Sequence, residues 1–346
     1  MNIRLPAEWE PQDAVLICWP HEKTNWAPYL NEAEAVLMDI AEAITRFQKL
    51  IGVVPDKECV HTKLAARGVN MKNVALYEIE SNDIWARDFG PITIYEDGKP
   101  VLLDFTFNGW GKKHKAGLDN QITTKLYAMD AFGKTPLRAV DLILEGGSIE
   151  SNGTGTLLTT AECLLNPNRN PQLDKKQIED KLSSEFGLAD FHPPSPEGFG
   201  AIKWLKNGGL AGDDTDAHID TLARLCPDNT ILYVKCSDPA DEHFPALRNM
   251  EDELKKMETF KLIPLPWPKA KFDADGKRLP ATYANFLIIN GAVLVPTYND
   301  PADSQALETI GKAFPNREII GIDCSTLILQ HGSLHCVTMQ IPKGVL

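Results

Sequence analysis

A cysteine near the end of the chain is the strongest candidate nucleophile in this sequence. Cys336 follows a glycine turn at Gly332 and is flanked by polar residues, whereas the other six cysteines suit small buried hydrophobic positions. A thiolate is a competent nucleophile near neutral pH when a base or a positive charge stabilises it. Because most cysteines are simply small buried side chains, Cys336 by itself leaves that alternative open.

A histidine and an aspartate two positions apart follow a run of acidic residues. Asp213, Asp214 and Asp216 precede His218 and Asp220. If the last two are extended, their side chains share one face and could act as a general acid–base and a carboxylate. An acidic helix N-terminus, which the helix dipole favours, is the alternative. That alternative explains the acids but not the histidine.

Two further carboxylates stand beside glycines. Asp88 follows Trp85 by three positions and precedes a Gly-Pro break at residues 90–91, and Glu145 directly precedes Gly146 and Gly147. Residues without side chains let a ligand or a backbone approach closely, so Glu145 could face a pocket. Each segment could instead be an ordinary turn in which the carboxylate binds backbone amides.

Several acids around a cysteine and a histidine favour a cysteine hydrolase that binds a cation. A planar guanidinium carries five N–H donors, and two carboxylates can bind its edges through charge-assisted hydrogen bonds. The same acids would suit an anionic or neutral amide substrate poorly. His218, Asp220 and Cys336 could in principle bind zinc, but they lack the short spacings typical of zinc sites.

Composition and charge exclude several classes of protein. The chain has 346 residues with 35 Lys+Arg and 48 Asp+Glu, a formal net charge of −13, and 43% hydrophobic residues. This composition is typical of globular proteins and unlike disordered or fibrous ones. The negative charge argues against non-specific nucleic-acid binding, which requires lysines and arginines at the phosphates, and suits a small cationic partner.

The seven cysteines include no CxxC pair, and their odd number argues against a disulfide scaffold. The N-terminus lacks the apolar core of a signal peptide, and the most apolar stretch, residues 286–296, is too short to span a bilayer. No composition shift separates two halves of the chain. We therefore expect a cytoplasmic protein with one domain over residues 1–346 and no contact with membranes.

Short apolar runs alternate with amphipathic stretches along the chain, which predicts an α/β fold. Asn290-Gly291 between two apolar runs predicts a β-hairpin over residues 286–295, because this dipeptide readily adopts a type I′ turn. Residues 191–196 and 264–280 are rich in proline and are predicted to be exposed loops. Strands are predicted at 14–19, 75–79, 92–95, 101–107, 156–160 and 231–236, and helices at 34–49, 175–186, 218–225, 244–257 and 303–314.

Taken in order, the motifs resemble those of the agmatine deiminase family, also described as bacterial-type peptidyl-arginine deiminases, in the guanidine-modifying (pentein) superfamily. The resemblance covers nearly the whole chain and rests on residues 5–11, 85–91, 107–111, 144–148, 164–171, 218–220 and 335–336. It implies an α/β fold built as a five-bladed, pseudo-symmetric propeller of ββαβ-type units. The spacings of 57, 73, 67 and 51 positions fit about one contribution per unit from Asp88, Glu145, His218, Asn285 and Cys336.

The resemblance also implies a mechanism. Cys336 would attack the guanidinium carbon, while Asp88 and Asp220 hold the guanidinium nitrogens. His218 would protonate the departing ammonia and then take a proton from the hydrolytic water. Trp85 would pack on the alkyl chain or the guanidinium plane. For agmatine the products would be N-carbamoylputrescine and ammonia, and neither a metal nor an organic cofactor is implied.

Three further residues are expected at the same site. Glu145 would add a carboxylate, Asp213 or Asp214 would receive the distal amine of agmatine, and Asn285 would form a hydrogen bond near Cys336. The acidic run favours agmatine over the alternative substrate, an arginine residue in a peptide. The sequence is compatible with a homo-oligomer.

Two departures from the family pattern lie beside these residues. Ala217 stands where the family usually has glycine before the histidine, and Gln330 and His331 stand in its glycine-rich run before the cysteine. Both bear on substrate choice more than on the chemistry. Amidino transfer, a non-catalytic ligand-binding protein and a zinc hydrolase are the competing hypotheses.

Overall fold

The computed structural model describes residues 2–188, 202–206 and 209–346, and five sheets in these ranges share one connectivity. In each, two neighbouring strands pair antiparallel, a helix follows, and a third strand pairs parallel to the second. Each such ββαβ group of elements is called a unit below. The strands of the five units are Ile92–Glu96, Lys99–Thr106 and Leu137–Ile143; Ile149–Ser151, Leu157–Thr160 and Ile202–Leu205; Ala223–Cys226, Thr230–Val234 and Lys261–Leu265; Leu287–Ile289, Ala292–Thr297 and Glu318–Asp323; and Thr338–Pro342, Gln12–Cys18 and Lys49–Val54.

One helix connects the second and third strands of each unit. In the order of the units, these helices are Ile122–Ala128, Lys175–Phe186, Phe244–Leu254, Asp303–Ala313 and Leu30–Thr45. Ile3–Arg4 extends the first sheet, and helix Lys57–Ala66 with strand Val74–Glu78 extends the last. The remaining short elements are strands Lys271–Phe272 and Arg278–Leu279, helices Ala86–Phe89, Gly109–Lys112 and Ala161–Leu164, and 3-10 turns Ala27–Tyr29, Met71–Asn73, Asp119–Gln121, Gly146–Ser148, Ile219–Thr221 and Leu327–Gln330.

The five units close into a ring through the short segments that precede their first strands. Each of these segments, or the first strand that follows it, forms a hydrogen bond with the neighbouring unit, and the last unit bonds to the first. These bonds run from Gly147 N to Asp88 Oδ1 (3.0 Å), Leu225 N to Glu150 Oε2 (3.2 Å), Asn285 Nδ2 to Asp220 O (3.4 Å), His335 N to Asn285 O (3.1 Å) and Arg87 N to Cys336 O (3.1 Å). The predicted α/β fold with five repeated units is therefore confirmed.

The apolar run at residues 14–18, which predicted a strand, is buried on both faces. Every residue from Ala14 to Cys18 is buried, because one face packs inward and the helices cover the other. The predicted hairpin is present, with Leu287–Ile289 antiparallel to Ala292–Thr297. Gly291 at its turn has a φ of 76°, in the left-handed region that glycine adopts without strain.

One predicted helix is wrong. Residues 218–225 form the 3-10 turn Ile219–Thr221 followed by the strand Ala223–Cys226. The whole segment is buried, so it has no exposed face of the kind that a surface helix presents to solvent. Its charged member, Arg224, is neutralised inside the ring by acids from distant parts of the chain. Only the tertiary structure brings these acids to it.

Smaller differences concern boundaries and loops. The helix predicted at 34–49 spans Leu30–Thr45, and Lys49 begins the next strand. The segment 264–280 contains the small hairpin of Lys271–Phe272 with Arg278–Leu279. The loop predicted at 191–196 lies outside the described residues. Within the part of the chain that the structure describes, no helix has the length and apolar character needed to cross a bilayer.

Candidate active site

The predicted site residues occupy the same place in their units. Asp88, Glu145, Asp220, Asn285 and Cys336 each lie two to four positions before the first strand of a unit. These segments face one another at the centre of the ring. Side chains up to 248 positions apart in sequence therefore meet there, as the even spacing predicted.

Cys336 is buried and lines a pocket at this centre. Asn285 Nδ2 lies 3.3 Å from its Sγ, and the thiol points toward Asp220 Oδ2 at 3.9 Å. Burial raises the pKa of Cys336 well above its ordinary value, and the negative charges of Asp220 and Asp88 raise it further. The resting side chain is thus a neutral thiol, and a cation in the pocket would favour the thiolate.

His218 lies fully buried between two carboxylates. Its Nδ1 is 3.7 Å from Asp88 Oδ1 and its Nε2 is 3.9 Å from Glu145 Oε2. Burial alone would lower the pKa of His218, but the surrounding negative groups, first among them Asp88, outweigh burial and raise it well above 6.5. The ring is therefore an imidazolium and can donate a proton. Neither nitrogen has a hydrogen-bond partner among the described residues.

Asp88 is a buried carboxylate with a raised pKa. Trp110 Nε1 donates to Oδ2 at 2.9 Å, and Gly147 N donates to Oδ1 at 3.0 Å. Burial raises the pKa of Asp88 to about 6, with the carboxylates of Asp220 and Glu145 acting in the same direction. This group changes charge close to physiological pH.

Asp220 has the opposite character. His335 Nδ1 lies 2.7 Å from its Oδ2, while Oδ1 is buried and has no partner among the described residues. Burial would raise the pKa of Asp220, but the hydrogen bond and charge of His335 outweigh burial and lower it. Asp220 therefore offers a permanently charged oxygen atom to a ligand.

Gly147 brings three of these groups together. A Cβ atom at this position would lie 2.6 Å from His218 Nδ1, 2.9 Å from Asp88 Oδ1 and 3.1 Å from Asp220 Oδ2. Distances under 3.0 Å are too short for a real Cβ contact. The Gly-Gly pair that the sequence singled out thus permits the close approach of the polar groups.

Aromatic rings and acids form the walls of the pocket. Trp85 packs against Trp26 with ring centroids 5.7 Å apart, and its six-membered ring lies under Gly332. This aromatic wall suits an alkyl chain or a flat cation. The lining residues are Asn25, Asp83, Trp85, Asp88, Trp110, His114, Asp213, Asp214, Thr215, Thr221, Gln330, His331, Gly332 and Cys336.

Glu145 lies behind His218 and is not among these lining residues. Arg169 Nε donates to both of its oxygens, at 3.0 and 2.9 Å, and both side chains are completely buried. The structure thus places Glu145 against the histidine and away from the pocket. Its contact with substrate stays a prediction, as it does for His218 and Asp220, which also lie outside this lining.

The two predicted aspartates of the acidic run differ in position. Asp213 is directed into its own loop, where it accepts hydrogen bonds from Thr215 N at 2.9 Å and Ala217 N at 3.1 Å. Asp214 lies at the pocket mouth, with His114 Nε2 2.6 Å from its Oδ2. Of the two, Asp214 has the more accessible carboxylate.

Two of the residues that depart from the family pattern have an unusual backbone conformation. Ala217 has a φ of 63° and His331 a φ of 71°, both in the left-handed region that favours glycine. His331 also bonds to Gly212 O through Nδ1 at 2.8 Å, joining two walls of the pocket. The backbone therefore keeps a glycine-like conformation where this chain has side chains.

Sequence reasoning missed His335, Glu8 and Trp110 as parts of the site. His335 and Trp110 occurred only as members of motifs, and Glu8 lies in an N-terminal segment far from the other residues. The available signal was weak. His335 is a polar residue directly beside the candidate nucleophile, and a buried polar side chain requires a partner.

Two groups of potential metal ligands lie close together in the described residues. They are Glu145, Cys163 and His218, and Glu8, Glu150 and His335. The trio of His218, Asp220 and Cys336 considered from the sequence is not one of them. In each group an arginine already binds the glutamates, Arg169 in the first and Arg224 in the second. A divalent cation in either group would be repelled by the guanidinium, so both donor sets fit a metal poorly.

Comparison with known proteins assigns the chain to a family. The model of the Porphyromonas-type peptidyl-arginine deiminases matches residues 4–342. The chain belongs to this family. Membership confirms the recognition made from the motifs, and makes the protein a hydrolase that acts on carbon–nitrogen bonds of amidines.

The chain is also similar to proteins of known name and structure. It is 42% identical to a cysteine-to-serine variant of the C. jejuni agmatine deiminase solved with substrate bound, with a TM-score of 0.90 over 99% of this chain and 97% of that one. It is 33% identical to the agmatine deiminase of Pseudomonas syringae pv. tomato over 99% of this chain and 96% of the relative. An amidinotransferase from Microseira wollei, 12% identical with a TM-score of 0.52 over 99% of this chain and 97% of that one, shares only the fold.

Proposed function

We propose that the protein hydrolyses agmatine to N-carbamoylputrescine and ammonia through a covalent intermediate on Cys336. The observation that carries the proposal is the meeting of a buried thiol, an imidazolium and two carboxylates at the centre of the ring. Asp220 Oδ2 lies 3.9 Å from Cys336 Sγ, and His218 Nδ1 lies 3.7 Å from Asp88 Oδ1. The named relatives support the choice of reaction.

The chemistry of the pocket favours a substrate that is positive at both ends. Asp83, Asp88, Asp213 and Asp214 line it, and none of its described lining residues is lysine or arginine. A guanidinium fits between Asp88 and Asp220 at the inner end. The distal ammonium of agmatine would then meet acids such as Asp214 toward the mouth, whereas a peptide carboxylate would be repelled.

The first half of the proposed reaction depends on the charge of the substrate. As the guanidinium binds, its positive charge compensates the thiolate, so the Cys336 proton leaves to solvent. Sulfur then bonds to the guanidinium carbon, while Asp88 and Asp220 hold the nitrogens in position. The His218 imidazolium donates its proton to the departing nitrogen, the C–N bond breaks, and ammonia leaves.

The second half uses the same groups in the reverse sense. Neutral His218 takes a proton from water, and the resulting hydroxide attacks the amidino carbon bound to Cys336. As the C–S bond breaks, the hydroxyl group loses its proton to form the carbonyl of the carbamoyl product, and this proton restores the resting thiol of Cys336. No metal or organic cofactor takes part, and we expect activity to survive treatment with a chelator.

Deimination of arginine residues in peptides is the alternative, since the family name and the shared guanidinium chemistry both allow it. The test is ammonia release from agmatine, free arginine and a peptide ending in arginine. We expect turnover of agmatine to exceed that of the other two by orders of magnitude. Preference for the peptide would establish the alternative, and lack of turnover of all three would overturn both.

We also propose that residues 1–346 form a single catalytic domain in the cytoplasm. Support for one domain comes from the hydrogen bonds that close the ring between its first and last units. All seven cysteines are unpaired, which fits a reducing compartment. A single unfolding transition, seen by both fluorescence and circular dichroism, would be the corresponding result for one domain.

A further inference from the structure

The side chain of His335 lies between two buried carboxylates from distant parts of the chain. Its Nδ1 is 2.7 Å from Asp220 Oδ2, and its Nε2 is 2.7 Å from Glu8 Oε2. Both contacts are hydrogen bonds only if both nitrogens carry protons, because an ionised carboxylate can only accept. Arg224 Nη2 also lies 3.1 Å from Nε2, so the ring is enclosed by one guanidinium and two carboxylates, directly behind a carboxylate of the active site.

Glu8 is held as an anion. Its Oε1 accepts from Ile288 N at 2.7 Å, and its Oε2 lies 3.0 Å from Arg224 Nη2 and 3.5 Å from Arg87 Nη2. Burial by itself would raise the pKa of Glu8, but His335 and the two arginines outweigh burial and lower it strongly.

Asp220 depends on this arrangement more than Asp88 does. The cations that face Asp220 are His335, His218 and Arg224, and only His335 forms a direct hydrogen bond with it. That bond fixes Oδ2 and leaves Oδ1 without a partner in the described part of the chain. The pKa of Asp88, which receives only neutral N–H donors, is raised to about 6.

We propose that Glu8 and His335 are positioning residues that keep Asp220 ionised and oriented, with Oδ1 available to the guanidinium. This inference rests on the proposed function, because it assigns the pair a role in binding the guanidinium of the substrate. Neither residue touches the substrate. Their effect passes through Asp220, which carries a fixed charge while Asp88 titrates.

The test measures agmatine affinity by calorimetry in a Cys336→Ala background, so that turnover does not interfere, between about pH 5 and pH 8. In this background we expect affinity to fall below about pH 6, where Asp88 of the free protein takes up one proton that it must lose when agmatine binds. Adding His335→Gln removes the ring that is hydrogen-bonded to Asp220 Oδ2, so we expect Asp220 to take up a proton as well. The fall should begin at higher pH and involve two protons, with roughly tenfold weaker binding at about pH 7.

Two further variants make the result specific. Glu8→Gln keeps the size of the side chain and the acceptor for Ile288 N but loses the charge, and should shift the profile in the same direction by less. His243→Gln is the matched control, a buried histidine with Nδ1 2.8 Å from Asp241 Oδ1 and outside the described pocket lining. It should leave the pH profile unchanged. Thermal unfolding confirms that each variant is folded.

The outcomes separate this inference from the proposed function. If the agmatine affinity of these variants falls with pH in parallel with that of the Cys336→Ala protein, however weak the binding, His335 and Glu8 have a merely structural role. That result would overturn the inference. Agmatine binding by the Cys336→Ala variant with no turnover by the natural protein would overturn the proposed function alone. Failure to bind agmatine at any pH would overturn both.

Discussion

Two clusters of buried charge lie side by side at the centre of the ring, and they are built in opposite ways. In the inner cluster, Arg224 donates from Nε to Glu150, from Nη2 to Glu8 at 3.0 Å and from Nη1 to Phe286 O. In the catalytic cluster, both nitrogens of His218 and Oδ1 of Asp220 have no partner among the described residues. Arg224 and its two glutamates satisfy one another, although Arg87 Nη2 beside Glu8 has no hydrogen-bond partner in the described residues, whereas three atoms of the catalytic cluster lack one.

The difference indicates which cluster has room for a ligand. A buried polar group without a partner costs about 1–3 kcal/mol, so a protein keeps such groups only where something else supplies the missing contacts. A guanidinium provides N–H donors for Asp220 and a departing nitrogen for His218. The inner cluster stabilises the ring, and the catalytic cluster keeps polar atoms without protein partners that are available to bind the substrate.

The largest expected effect separates chemistry from binding within the catalytic cluster. Cys336→Ala removes the nucleophile but leaves Asp88 and Asp220, so turnover should fall by roughly five orders of magnitude while agmatine still binds. Turnover is measured by end-point assays of ammonia release, and agmatine binding is measured separately by calorimetry. Residual turnover near that of the natural protein would contradict covalent catalysis.

Removing the arginine of the inner cluster should decrease the free energy of unfolding. Arg224→Met leaves the buried Glu8 and Glu150 without their shared partner, and should cost about 3–5 kcal/mol in the free energy of unfolding, measured with urea. Arg46→Met is the matched control, since Arg46 forms an exposed ion pair with Glu318 at 2.7 Å and should change stability little. Equal effects of the two variants would contradict a structural role for the inner cluster.

Removing a charge from the catalytic cluster should increase the free energy of unfolding. The pKa of Asp88 is about 6 in the folded protein against an ordinary 3.8, so its ionised form is destabilising, fully so above about pH 6 and not at all below about pH 4. Asp88→Asn should therefore abolish turnover yet raise the free energy of unfolding by about 1–3 kcal/mol at about pH 8. Urea unfolding at about pH 8 and about pH 4 tests this, and a gain that persists at the lower pH would argue against it.

The smallest effect refines the ionisation of Asp88. Trp110 Nε1 donates to Asp88 Oδ2 at 2.9 Å, a bond that lowers the pKa of the carboxyl. Trp110→Phe should move the acid limb of the kcat/KM profile for agmatine upward by about one pH unit from its position near 6. An unchanged limb would mean that another group controls it.

Much of the site could be predicted from local sequence because each key residue sits in its own motif. Asp88 precedes the short apolar run at residues 92–95 that predicted a strand, and Asp88, His218 and Cys336 each lie in a different unit. The catalytic roles of these residues stay predictions. The segment after His218 was misread as a helix because burial of Arg224 depends on partners that local sequence does not show.

Motifs alone could not separate the carboxylates by role. Glu145 and Asp88 both stand beside glycines, yet Arg169 holds Glu145 behind the histidine while Asp88 lines the pocket. The same limit applies to His335, whose partner Glu8 is 327 positions away. Which acid meets a cation of the protein, and which is left for the substrate, depends on contacts between units.

The order of residues by itself determined the residue types that can do the chemistry and the alternation of apolar runs and amphipathic stretches that builds an α/β fold. Those are local properties, encoded within a few positions along the chain. The tertiary structure decided the ionisation of each group, because the pKa values of Asp88, Asp220 and Cys336 are set by burial and by charges from other units. Electrostatic energy depends on distance in space, and only the closed ring fixes those distances.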